Sequence, residues 1–254
     1  MIRVILGTCL AAAAAVATPA NAANLIVAGD ATIAARMAQG VAGNITFARN
    51  ILGSGDRVSI FRFSVVNTFP NPPLGDQLAT VYNGFTGVTA TTFTTPITSS
   101  VLQDADLLVV LGRSNAFTTA EIGLVRNFLV GGGRVLLAGE SSNIGFTANA
   151  NLNGLLAGIG SSIRLNQVTE GIGDQFATDG EILANPLTAG ITSFGYGRTT
   201  TVSGGTTLFL NDSGNPFVAV DAVVPEPGTW ALMIAGFGLA GAAIRRRRPA
   251  IAFA

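Results

Sequence analysis

The chain has no histidine and no lysine among its 254 residues, and its one cysteine is Cys9. Without histidine it cannot supply a Ser-His-Asp triad, and a single cysteine permits neither an internal disulfide nor a Cys/His zinc site. Charged residues make up only 11% of the chain, whereas 48% is hydrophobic and 32 residues are glycine. This composition is sufficient for a hydrophobic core and suits an exported protein better than a cytosolic enzyme.

Five of the fourteen basic residues, all of them arginines, lie near the ends of the chain. Without Arg3, the cluster Arg245 to Arg248 and Glu226, nine arginines remain against thirteen acids, a net charge of −4. A phosphate backbone is bound by a clustered basic face, which this middle part does not offer. The sequence therefore predicts no nucleic-acid partner.

The first 22 residues have the pattern of an export signal. A short basic start with Arg3 precedes the apolar run from Val4 to Ala17, and Ala20-Asn21-Ala22 supplies a small-x-small cleavage site. Cleavage by signal peptidase after Ala22 would leave a mature chain without cysteine. The alternative is an uncleaved membrane helix, but the run is shorter than the ~20 residues that a span needs.

Residues 24–223 are predicted to form one exported α/β domain, with a mainly parallel sheet and an antiparallel C-terminal portion. Thr118 and Glu121 match a capping box in front of an apolar helical stripe that Gly131 ends, and the next strand covers Arg134 to Ala138. Helix caps are also expected at Asp30, Asn44 and Asn151. The predicted strands cover 25–28, 58–66, 88–93, 107–111, 134–138, 163–166, 217–220 and a hairpin formed by 199–202 and 207–210 around Ser203 to Thr206.

The stretch ADLLVVLGRSNAFTTAEIGLVRNFLVGGGRVLLAGESSN resembles the core of the class I glutamine amidotransferase-like folds, including the ThuA-like group, and NPLTAGITSF resembles a segment of that group. The resemblance implies a flavodoxin-like or amidotransferase-like sheet with the nucleophile just after a strand. That position is the turn Gly139 to Ser142, which lacks the family's cysteine. A Glu140–Ser141 pairing is the alternative, but a serine without a base is a weak nucleophile. We therefore predict no catalytic residue and no cofactor.

A metal site is not predicted either. Asp174, Asp179 and Glu181 could hold Ca²⁺ together with loop carbonyls, but their spacing lacks the alternating oxygen ligands of an EF-hand loop.

The C-terminal part is predicted to contain a short membrane segment. Trp230 to Ile244 is an uncharged apolar run of 15 residues, which as a helix spans about 22 Å against a bilayer core of ~30 Å. Arg245 to Arg248 follow at once and are expected to stay cytoplasmic, as is the rest of the segment 245–254. With the export signal, this places the domain outside the cell membrane.

Pro225-Glu226-Pro227 stands in the segment 224–229, directly before Trp230-Ala231, the apolar run and the arginines. In this order and spacing the tail resembles the PEP-CTERM sorting tail of bacteria that make exopolysaccharide or biofilm. The resemblance implies that an exosortase, a membrane-embedded processing enzyme, cuts at or near Pro-Glu-Pro and that the protein then reaches the cell surface or extracellular matrix. A permanent C-terminal anchor is the alternative.

These observations favour a non-enzymatic surface or matrix protein, with exopolysaccharide among its candidate partners. Two alternatives stay open: an exported hydrolase or sugar-active enzyme of ThuA-like shape, and a polysaccharide-binding module.

Overall fold

The computed structural model describes residues 24–62, 73–171 and 173–222, and beyond these only Gly236 and Leu239, which are both helical. The signal segment 1–22 and the segments 224–229 and 245–254 lie outside the described residues, as does the predicted membrane helix 230–244 apart from those two positions. Among the helices of the described ranges, none combines the length and the apolar character that a membrane span requires.

Strands and helices alternate along most of the domain, as the sequence predicts. In chain order the elements are β1 (Leu25–Ala28), α1 (Ile33–Ala38), α2 (Ala42–Leu52), β2 (Arg57–Phe61), α3 (Leu74–Asn83), β3 (Thr89–Phe93), α4 (Ser99–Leu102), β4 (Leu107–Val110), α5 (Thr119–Val130), β5 (Arg134–Ala138), α6 (Ser142–Gly158), β6 (Arg164–Leu165), β7 (Gln175–Thr178), the 3-10 helices Asp179–Glu181 and Pro186–Thr188, β8 (Ser193–Tyr196), β9 (Val202–Ser203), β10 (Thr206–Leu210) and β11 (Pro216–Asp221).

Seven strands form the central sheet in the order β10-β11-β1-β5-β4-β2-β3. The five neighbouring strands β1, β5, β4, β2 and β3 are mutually parallel, whereas β11 is antiparallel to both β1 and β10. The predicted α/β class, with a mainly parallel sheet and an antiparallel C-terminal portion, is confirmed. The parallel strands run 3-2-4-5-1, which is the flavodoxin order 2-1-3-4-5 with the last strand moved to the front of the chain.

Helices cover both faces of this sheet, which explains its continuous apolar strands. All four residues of β1 and of β4 are buried, as expected of parallel strands enclosed on both sides. Alternate side chains enter two separate cores: Ile26 packs with α1, α2 and α3, and Val27 packs with α4, α5 and α6. The first core is aromatic, with Phe194 stacked on Phe209 at 4.0 Å between ring centroids.

The unit β4–α5–β5 is the best-predicted part of the fold. Thr118 Oγ1 accepts from the amide of Glu121, whose carboxylate in turn accepts from the amide of Thr118, so the capping box is present. Strand β5 has the bounds that the sequence predicts. Helix α2 ends at Leu52, with Gly53 as its C-cap residue.

The expected caps at Asn44 and Asn151 are wrong. Asn44 lies inside α2 and is buried, where it donates to the carbonyl of Gly195 at 2.8 Å and accepts from its amide at 2.7 Å. Helix α6 begins at Ser142, and Asn151 within it donates to the carbonyl of Arg113 at 2.9 Å. Both asparagines bind the backbone of other segments instead of a free helix end, a choice that only the tertiary contacts decide.

The hairpin predicted around Ser203 to Thr206 is also wrong. Strand β9 pairs with β6, whereas β10 pairs with β11 in the central sheet. Gly204 and Gly205 both have positive φ, at 78° and 68°, so the chain turns there but passes from one sheet to another. The hairpin that does form joins β10 to β11, and the amide of Asn211 donates to the carbonyl of Asn215 across its turn at 2.9 Å.

Candidate functional site

Two topological switch points lie at the carboxyl edge of the sheet, where the parallel strands end. Neighbouring strands β1 and β5 send their following helices, α1 and α6, to opposite faces, and β2 and β4 do the same with α3 and α5. Such switch points are the usual ligand sites of open α/β sheets. We name them the β1–β5 crevice, with Asp30 and Glu140, and the β2–β4 crevice, with Arg113 and Glu121.

Glycine follows both strands of the β1–β5 crevice. A Cβ atom on Gly29 would lie 1.8 Å from the carbonyl oxygen of Thr200, and one on Gly139 would lie 2.4 Å from Oδ1 of Asn149. Contacts this close leave no room for a side chain. The loop at Thr200 and helix α6 therefore pack tightly against the strand ends, directly before Asp30 and Glu140.

Asp30 is fully buried. Its carboxylate accepts from the amide and hydroxyl of Thr32 at 2.7 and 2.6 Å, and from the amide of Gly197 at 2.6 Å. Burial raises the pKa of Asp30 in spite of these bonds. Helix α1 begins only at Ile33, with Thr32 as its N-cap residue. The expected role of Asp30 as the cap of a helix from residue 31 is therefore wrong, and it binds two loops together instead.

Glu140 is partly exposed and follows Gly139 after the end of β5. Burial first, and the negative charge of Asp30 second, raise the pKa of Glu140 to about 8. Asn149 of α6 fixes its backbone, since the amide of Glu140 donates to Oδ1 at 3.0 Å and its carbonyl accepts from Nδ2 at 2.6 Å. The β1–β5 crevice therefore holds a carboxyl whose raised pKa favours the protonated form at neutral pH, on a backbone that Asn149 fixes.

Ser141, the candidate nucleophile of the alternative interpretation, is buried with no exposed surface. Its hydroxyl donates to Oδ1 of Asn143 at 2.7 Å, while its amide donates to the Glu140 carboxylate at 2.8 Å. An amide oxygen is not a base, so the bond to Asn143 does not activate the hydroxyl.

The three acids considered for Ca²⁺ do not form a site. Asp174 pairs with Arg36, which lowers the pKa of its carboxyl. Glu181 accepts from the amide of Thr178 at 2.9 Å. In the part of the chain that the structure describes, no group of three or more Cys, Asp or Glu side chains is arranged to hold a metal ion.

The β2–β4 crevice was not predicted. Arg113 donates to both carboxylate oxygens of Glu121, at 2.5 and 3.3 Å, and its guanidinium lies 4.6 Å from the ring centre of Phe117. Burial alone would raise the pKa of Glu121, but Arg113 and the amides of Thr118 and Ile97 together lower it. The capping box identified Glu121 in the sequence, yet nothing there connected it with Arg113.

Both ends of the described domain lie at the opposite side of the sheet, which we call the amino edge. There β11 ends at Asp221 beside Leu25, the first residue of β1, and the amide of Asn24 donates to the carbonyl of Asp221 at 3.2 Å. The predicted sorting residues Pro225, Glu226, Pro227 and Trp230 follow a few positions later, outside the described residues. Also outside the described residues lie the arginines Arg245, Arg246, Arg247 and Arg248, and the signal cleavage residues Ala20 and Ala22.

The tail itself matches a family model. The PEP-CTERM protein-sorting motif covers residues 223–248, from directly after the last strand to the end of the arginine cluster. This chain carries a PEP-CTERM tail. The tail implies export, a membrane-anchored sorting step and processing by an exosortase.

The PEP-CTERM motif is the informative comparison for this chain. No curated protein matches this chain. Among solved structures, the chain is similar to the "mmIFT52 N-terminal domain", with 18% identity and a TM-score of 0.43 over 59% of this chain and 86% of that one.

Proposed function

We propose that this protein is a non-enzymatic component of the bacterial cell surface or extracellular matrix, delivered by an export signal and sorted through its PEP-CTERM tail. The observation that carries this proposal is the match of residues 223–248 to the sorting motif. The described domain closes its sheet with β11, which ends at Asp221 before the motif begins. Cutting the tail off therefore removes no strand from the fold.

The proposed route runs from export to release. Signal peptidase removes 1–22, the apolar run 230–244 anchors the chain in the inner membrane, and Arg245 to Arg248 hold its end on the cytoplasmic side. Because proline disfavours helix at its own position and at the residue before it, we expect Pro225 and Pro227 to present this segment to the exosortase as an extended peptide. The released domain then associates with the cell surface or with exopolysaccharide.

The crevices support the non-enzymatic part of the proposal. The hydroxyl of Ser141 is buried and bonded to an amide oxygen, and Arg113 and Glu121 neutralise each other. Each of these groups is thus occupied by a structural partner instead of being aimed at a substrate.

An intact mass of the mature protein from its native host tests the sorting step. We expect a C-terminus near Pro225 to Pro227, and retention of Arg245 to Ala254 would leave a permanent anchor instead. Replacing Glu226 by alanine should reduce the cut product, whereas Pro249→Ala, beyond the arginines, should not. Equal processing of the two variants would contradict recognition through Pro-Glu-Pro.

A second candidate, an exported hydrolase or sugar-active enzyme, is favoured by one observation. Glu140 has a pKa of about 8 beside a second carboxyl, Asp30, and a protonated carboxyl at neutral pH can act as a general acid. Turnover of an ester, amide or glycoside that is lost in Glu140→Gln would establish this candidate. No turnover over the whole panel supports the non-enzymatic proposal.

A further inference from the structure

The position of the chain ends restricts how the anchored domain can sit on the membrane. Leu25 and Asp221 are paired neighbours at the amino edge, and the β1–β5 crevice lies at the opposite edge of the same strands. The tail therefore starts at the side of the domain that is farthest from the crevice.

The tether between fold and membrane segment is short. Eight residues lead from Ala222 to Trp230, and a fully extended chain of that length spans at most roughly 28 Å. A domain the size of residues 24–222 has a radius of gyration of about 16 Å, hence a diameter of roughly 40 Å. To turn the carboxyl edge to the bilayer, the tether would have to pass around half of the domain, which is farther than it reaches.

The cutting site is closer still to the fold. Only four residues lead from Asp221 to Pro225, or at most roughly 14 Å. Loops next to Asp221 at this edge are fixed: the amide of Ser162 donates to its carboxylate at 3.0 Å, and the amide of Gly205 donates to the hydroxyl of Ser162 at 3.2 Å. An enzyme that holds Pro-Glu-Pro must approach these loops.

We propose that the amino edge of the sheet faces the membrane and is the surface against which the membrane-embedded processing enzyme works, while the β1–β5 crevice points away from the bilayer. This inference rests on the proposed function, because it requires the apolar run to be inserted in the membrane. It adds which side of the domain the enzyme meets and which side is presented to the exterior.

Strand β10 offers a matched pair of positions for the test. Thr206 is exposed at its amino-edge end, and Ser213 is exposed in the turn at its carboxyl-edge end. The five residues of β10 separate the two by roughly 17 Å. Each is replaced by cysteine in a chain that also carries Cys9→Ala, so that every molecule has one thiol.

The two variants are produced in a host that lacks the exosortase, and spheroplasts are treated with a polymer-linked maleimide and, in parallel, with a small maleimide. The ratio of the two rates removes differences in intrinsic thiol reactivity. We expect this ratio to be several-fold lower for Thr206→Cys than for Ser213→Cys. Inserting about 20 Gly/Ser residues after Ala222 adds roughly 25 Å of average reach and should remove the difference.

The outcomes separate the two proposals. Equal ratios for the two variants in the membrane fraction would overturn the orientation while leaving the anchored step intact. A difference that persists after the insertion would also overturn it, because shielding would then come from the fold and not from the membrane. Recovery of the full-length chain in the soluble fraction would overturn both the anchored step and the orientation.

Discussion

Two carboxylates at the carboxyl edge of the sheet occupy equivalent switch points and differ in their partners. In the β2–β4 crevice Glu121 is paired with Arg113 and has a lowered pKa. In the β1–β5 crevice Glu140 has Asp30 as its neighbour, and its pKa is raised to about 8. A similar place in the fold thus gives a lowered carboxyl pKa where a guanidinium is the partner, and a raised one where burial and a second acid act together.

The largest effect is expected when the ion pair is broken from its basic side. Arg113→Met leaves the carboxylate of Glu121, which is 2% exposed, buried without a cation, and should lower the free energy of unfolding by about 3–5 kcal/mol. Urea denaturation measures the loss. The control is Arg126→Met, at an exposed position of α5, the helix that carries Glu121. Its free energy of unfolding should stay within ~0.5 kcal/mol of wild type. Similar values for the two variants would show that the pair contributes little.

Glu140 and Glu121 should make the free energy of unfolding depend on pH in opposite directions. Because the pKa of Glu140 is about 8 in the folded protein against an ordinary 4.5, the folded state binds more protons than the unfolded state between these values. The stability that Glu140 contributes is therefore fully present below its unfolded-state pKa and is lost as pH rises through its folded-state pKa. Glu121, whose folded pKa is lowered, contributes stability that is lost as pH falls.

Glu140→Gln keeps the shape of the side chain and removes this proton. At about pH 9 the variant should be more stable than wild type by on the order of a few kcal/mol, and at about pH 5 the two should be similar. Denaturation curves at the two pH values measure the difference. If the wild type is the more stable protein at the higher pH, the protonated state inferred for Glu140 is wrong.

The smallest effect is expected for a substitution of Asp30, the acidic neighbour of Glu140. Asp30→Asn removes the negative charge that raises the pKa of Glu140 second to burial, so that pKa should move down while staying above its ordinary value. A side-chain carboxyl titration followed by NMR measures the shift. Asp104→Asn, at an exposed acid near Arg57 on the amino edge, should leave Glu140 unchanged. An unaltered titration of Glu140 in Asp30→Asn would show that burial alone is responsible.

Local signals in the sequence were sufficient for much of the fold. The uninterrupted apolar run of β4, the capping box at Thr118 and the glycines before β5 describe a strand, a helix and a strand without reference to distant residues. Asparagine was the main source of error. Its side chain suits a free helix end in isolation, yet Asn44 and Asn151 bind the backbone of distant segments from inside their helices.

The candidate site was less accessible to such reasoning. Asp30 and Glu140 are far apart in the chain and meet only because β1 and β5 are neighbours in the sheet, a pairing that no local pattern specifies. The raised pKa of Glu140 depends on how much water the surrounding loops exclude, which is also a tertiary property. The tail was predictable because its signal lies in the order of adjacent segments and needs no fold.

The arrangement of β11 has a mechanical consequence for a protein held by its C-terminus. This strand runs toward the amino edge between β1 and β10, and the tail sequence continues from its end. We expect a pull on the tail to draw β11 along its own axis, so that the hydrogen bonds on both sides resist in shear together instead of opening one after another. Single-molecule extension from the tail should therefore require more force than extension that peels off the edge strand β3. Drag from flowing water would then load the anchored domain in the direction in which it resists unfolding most.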